Sequence, residues 1–283
     1  MLSSNRPKPY PSQNLRPHYL PNPDRLSIVA SVILLAYAMA RFANLPVSEL
    51  SVQLPGIFLS VQINLRTYVA MLVAVMTASG ADWLMRDHKA QGRHVKFEHW
   101  LLPALTAWVI GLPLFQLPLG LLWWVGFALG GTILMLVLVA EYIVIDPEDI
   151  RAPAASAILT VVSYALFLIL AASLRYAGLR LYLILPAIGL ATGLVSLRIL
   201  HLRLHGQWAF LPAGVVALIV GELVAALHYW PLSPVAYALA LLAPAYALTS
   251  LVGNIMENMP VRQAIIEPSI VLVILWTAVI WIR

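Results

Sequence analysis

Glu222 and His228 are the residues whose chemistry needs explaining first. Both lie in or just past a long apolar run, about 208–227. An ionisable side chain inside hydrocarbon costs about 2.5–3.5 kcal/mol on insertion scales, so each one needs a reason. Glu222 is the deepest, and the expectation is that it faces a helix-bundle interior, hydrogen-bonded or in a wet cavity. His228 follows six residues later, and an imidazole titrates near neutrality. A carboxyl and an imidazole so placed could relay protons; the same pair also suits a structural anchor. A second group is Asp82, Glu98, His99 and Glu141, which fall at the ends of three apolar runs and are expected at one depth. They make either an interfacial polar belt or one wall of a site. Asp82 and Arg86 are one helical turn apart, which favours a local ion pair. His201 and His205 resemble a basic interfacial end.

Other chemistry is excluded by what is missing. The chain has no cysteine, so it has no disulfide framework, thiolate zinc site or iron–sulfur cluster. The carboxylate–imidazole mixture has no metal-ligand spacing, and no paired-histidine pattern suggests haem. No phosphate-binding loop, His-Glu-x-x-His helix or Gly-x-Ser-x-Gly elbow occurs. Asp146-x-x-Asp149 is a single acidic motif, where intramembrane prenyltransferases need two. No catalytic residue, metal or cofactor is expected, and the reading leans away from an enzyme.

The elements that must position these residues are set by composition. Hydrophobic residues make up 61% of 283 and charged residues 10%, against about 25% charged in soluble domains. About 20 apolar residues cross a bilayer as a helix. Nine such runs are read: 26–42, 67–83, 100–115, 119–145, 155–174, 181–200, 208–227, 234–253 and 265–282. Eight is the alternative count, and the number of crossings also falls if the fifth and sixth are a re-entrant pair. The fold class is an all-α polytopic membrane protein, with residues 26–283 as one domain. Residues 1–25 carry Pro7, Pro9, Pro11, Pro17, Pro21 and Pro23 and read as a disordered cytoplasmic tail.

Between the first two spans the period changes. Leu50, Val52 and Leu54, then Ile57, Leu59, Val61, Ile63 and Leu65, recur at every second position around Pro55-Gly56, with Ser51, Gln53, Ser60, Gln62 and Asn64 on the other face. A period of two signals strands. An extracytoplasmic β-hairpin over 45–66 is expected, with one apolar face to be covered by the bundle, the lipid interface or a protein partner.

Orientation follows the basic residues. With the N-terminus in the cytoplasm, Arg6, Lys8, Arg16, Arg25, Arg86, Lys89, Arg93, Lys96, Arg151, Arg198, Arg203 and Arg262 lie inside. Arg41, Arg66, Arg175, Arg180 and Arg283 lie outside. The positive-inside rule supports that choice and puts the C-terminus outside an inner (cytoplasmic) membrane. Membrane lipid is the expected partner, nucleic acid is not, and a homo-oligomer is left open. Gly126-x-x-x-Gly130, Gly131 and Gly189-x-x-x-Gly193 are expected to let helices approach closely. The third and sixth spans open alike, His99-Trp-Leu-Leu-Pro-Ala and Tyr182-Leu-Ile-Leu-Pro-Ala. An inverted repeat of the transporter kind would explain that, as would chance among proline-bearing membrane helices.

Several features together resemble a family of uncharacterised bacterial polytopic membrane proteins. They are the hairpin after the first span, Asp82-Trp83…Arg86, His99-Trp-Leu-Leu-Pro-Ala and Glu141-Tyr142…Asp146. The resemblance covers the first half of the chain and supplies no catalytic residue. Two functions stand: a transporter-like or small-molecule-binding protein with a polar cavity near Glu222, and a non-enzymatic membrane scaffold or assembly factor.

Overall fold

A computed structural model describes residues 21–42, 48–54, 57–63, 65–86, 98–146, 148–204 and 206–282, with side chains of 42–67 and 98 left aside. Most of the expected tail therefore lies outside the described residues, and α1 already begins at Pro23. The elements are α1 (Pro23–Phe42), β1 (Ser48–Leu54), β2 (Ile57–Ile63), α2 (Leu65–Met85), α3 (Glu98–Gln116), α4 (Leu121–Val144), α5 (Ala152–Tyr176), α6 (Leu181–Arg203), α7 (Phe210–His228), α8 (Pro234–Met256) and α9 (Val261–Ile282). β1 and β2 pair antiparallel, with Leu54 opposite Ile57 and Ser48 opposite Ile63. Which face of that ladder is covered lies outside the described side chains.

Eight of these helices are long and apolar enough to cross a membrane. The ninth, α3, is not among them. It opens on Glu98-His99 and carries Pro103 and Pro113 within it. Its position makes up for that composition: α3 packs against α1, α2, α4, α5 and α6, and Leu102, Leu105, Ala107, Val109, Ile110 and Leu114 are buried. Pro103 and Pro113 each remove one amide from the helical ladder, and such breaks survive at membrane depth where neighbouring protein surrounds them. α5 and α6, with 25 and 23 residues, are each long and apolar enough for a full crossing, longer than a re-entrant pair requires. Gly178, at φ +63°, makes the turn between them in the left-handed region that suits glycine.

Side-chain bonds fix the up-and-down order. At the end where α1 starts, Arg25 reaches the Trp83 carbonyl at the end of α2 (3.3 Å). At the far end Arg41 reaches the Leu117 carbonyl beyond α3 (3.0 Å), and Gln116 reaches that of Ser173 on α5 (3.1 Å). Arg175 there donates to the carbonyls of His228 and Trp230 (2.6 and 2.9 Å).

The apolar core has two centres. One runs through α3–α8 around Phe167, Ile188 and Tyr237; the other joins α1–α4 around Ile33, Val73 and Trp123. The small residues work within the chain: a Cβ on Gly130 would meet Ile110 at 2.5 Å, and one on Gly131 would meet Leu34 at 3.1 Å. The second motif differs. Gly193 faces Ala217 at 3.5 Å, but Gly189 faces open space. The resembling openings of α3 and α6 also sit in unlike surroundings, since Pro103 is buried and Pro186 exposed.

Candidate functional site: a buried ion cluster and an apolar groove

Glu222 does not face the interior. The buried stripe of α7 is Ala213, Val216, Val220, Gly221 and Val224. At about 100° per residue, Glu222 falls on the opposite face, and it is exposed. The expected polar cavity around it is therefore absent from the bundle interior. His228 lies toward the packed side of α7, about 120° from Glu222, with its ring edge-on to Tyr229. The expected Glu222–His228 relay pair does not form.

The second predicted group is split by the fold. His99 and Glu141 come together, and sequence reasoning missed the residue that completes them. The His99 Nδ1 is 2.9 Å from Oε2 of Glu141, and the Arg198 Nη2 also donates to Oε2. All three are buried: Glu141 is 0%, Arg198 1% and His99 5% exposed. These values decide the character of the cluster, because a carboxylate and a guanidinium so enclosed are tolerated only as partners. The cluster ties the start of α3 to the ends of α4 and α6. Asp82 is elsewhere, accepting from the Arg86 Nε (2.8 Å) at an exposed end of α2. Glu98 opens α3, and its side chain lies outside the described set.

Arg198 sits five residues inside the end of α6. That depth was the missed signal, since an arginine a full turn deeper than Arg203 needs an acid at its own level. A second network went unforeseen. Arg203 donates to Glu257 Oε1 (2.8 Å) and to the Asn254 Oδ1 (2.7 Å). The Ser250 and Tyr246 hydroxyls both donate to Glu267 on α9. Gly253 makes room for the first of these bonds: a Cβ there would meet the Arg203 Nη1 at 2.6 Å.

On the other side of α3 lies an apolar groove of about 430 Å³. α2 lines it with Met71, Ala74 and Ala78. α3 adds Trp100, Leu101, Ala104, Leu105 and Trp108, and α6 adds Leu194. Its volume falls in the range of roughly 300–1,000 Å³ common for ligand sites. It opens on the outer surface, where Met71 is exposed. The ion cluster has no nucleophile among its members, and no group of three metal-ligating side chains occurs among the described residues. Chemically, the cluster holds an imidazole and a guanidinium on one carboxylate, and the groove offers contact to hydrocarbon.

No curated protein matches the chain, and no solved structure does. One family model does match, over residues 45–282, which extends well past the half of the chain that carried the resemblance. The chain belongs to that family, DUF5656, a protein family of unknown function.

Proposed function

We propose that this is an integral membrane protein that binds the hydrocarbon chain of a lipid or similar amphiphile in the groove between α2, α3 and α6. One observation carries the reading: a groove of about 430 Å³ whose nine lining residues are all apolar. Water needs two to four polar partners to occupy a site, and these side chains offer almost none. The surrounding solvent is lipid, so the occupant is a lipid chain. Trp100 and Trp108 supply broad, rigid contact area at either end of the groove's α3 wall. The transport reading loses its support with Glu222 on the outer face.

The basic residues orient this reading. Arg25, Arg86, Arg198 and Arg203 share the end where α1 starts, and placing that end in the cytoplasm satisfies the positive-inside rule. The groove then opens to the bilayer between two crossings of an inner membrane.

The test is native mass spectrometry of the full chain released from mild detergent. The wild type is expected to retain a lipid-sized adduct that Ala104→Trp, which fills the groove, lacks. Wild-type protein that carries no adduct, or an adduct unaffected by Ala104→Trp, rules the groove out as a binding site.

A further inference from the structure

Glu222 is a mid-helix carboxyl on the outward face of a membrane-spanning helix. Among the described residues it has no hydrogen-bond or ion-pair partner in its own chain. Hydrocarbon does not tolerate that arrangement without a reason. The residues around it supply one. Leu211, Val215, Leu218, Glu222, Ala225 and Tyr229 follow one another at spacings of four, three, four, three and four. That is the heptad pattern of a helix–helix seam. The seam is open: Leu211 is 78%, Leu218 63% and Tyr229 82% exposed. It lies opposite the stripe by which α7 packs into its own bundle.

We propose that α7 pairs with α7 of a second copy of this chain, with Glu222 at the centre of the seam. The reason for a second copy is geometric. Copies inserted by the same rule cross the membrane in the same direction, so their α7 helices meet parallel. In a parallel seam each position meets its own counterpart, and Glu222 meets Glu222 of the other copy at one depth. Two carboxyl side chains at one depth can satisfy each other, the O–H of each acid donating to the C=O of the other, which leaves neither a charge nor an unpaired polar group facing lipid. Apolar seams have little driving force in a bilayer, and a polar residue at one seam position supplies both attraction and register. The groove lies on α2, α3 and α6, so this pairing stands apart from the lipid-binding reading.

The absence of native cysteine makes the test direct. Val215→Cys and Leu218→Cys are introduced singly into the full chain, and membranes are oxidised with copper phenanthroline. Both sites are surface positions, so folding is undisturbed, and a single symmetric peak in detergent checks this. Both variants should form disulfide-linked dimers. Ile274→Cys on α9, equally exposed, should give at least tenfold less. In the Leu218→Cys background, Glu222→Gln should keep the dimer, because amides also pair, and Glu222→Leu should lower its yield severalfold. Seam cysteines that link no faster than Ile274→Cys overturn the pairing, as they would if a different protein covered this face. A yield unchanged by Glu222→Leu overturns the role of the carboxyl.

Discussion

At the residue scale, the most consequential contact is the one between Arg198 and Glu141. Both are essentially without solvent, so each charge is acceptable only because the other is present. Removing one partner leaves a buried, uncompensated charge, at a cost of about 3–5 kcal/mol. Glu141→Ala should therefore lower the thermal unfolding temperature in detergent far more than Asp82→Ala, whose carboxylate serves an exposed pair. The double replacement Glu141→Leu with Arg198→Leu should recover a large part of that loss, since an apolar pair leaves nothing unpaired. A double variant no better than Glu141→Ala alone would mean that His99 or the shape of the site, not the charge pair, sets stability. Sequence pointed to Glu141 and His99 as members of one group. It did not give Arg198, because an arginine near a helix end looks the same whether it reaches water or turns inward. Glu222 failed for the complementary reason: a deep carboxyl was expected inside, but rotation about α7 decides its face. That rotation follows from which valines pack, which cannot be read from Glu222 itself.

At the element scale, two glycines make opposite predictions. Gly253 lies where the Arg203 guanidinium crosses α8. Gly253→Leu must push that group away from Glu257 and Asn254, and overpacking of this kind costs about 1–3 kcal/mol. The expected result is a lower unfolding temperature and easier proteolysis after α8. Gly189 faces open space, and alanine is the better helix former by roughly 1 kcal/mol. Gly189→Ala should be neutral or stabilising by the same assay, although its spacing to Gly193 matches the close-packing motif as well as Gly126 to Gly130 does. The spacing was legible; which glycine has a neighbour was not, because that depends on where the next helix stands. α3 teaches the same lesson in reverse. Its prolines and charged start weaken it as a span, yet it packs against five helices. An element surrounded by protein is released from the composition that lipid demands.

At the scale of the whole molecule, the class was legible because composition alone names the solvent. The order of helices followed from their lengths, with ends displaced by a few residues. Orientation remains a matter of charge. A single cysteine near residue 4 should react with a membrane-impermeant maleimide only after the cells are opened, and one near residue 260 should behave the same way. Labelling of both in intact cells would invert the protein. α9 sets a further expectation. Only 6% of its span is buried, against 56% for α8, and its contacts run to α8. Asn254 holds the Ala264 carbonyl, Trp276 that of Ala240, and Glu267 takes the Tyr246 and Ser250 hydroxyls. A chain stopped at Pro260 should still insert and run as a single species in detergent, whereas one stopped at Pro231 should not. Synthesis makes α1–α8 before α9, so those eight helices can close their core before α9 is added. α9 then docks on a bundle that is already packed, latched by a few hydrogen bonds and free to leave without unfolding what it leans on.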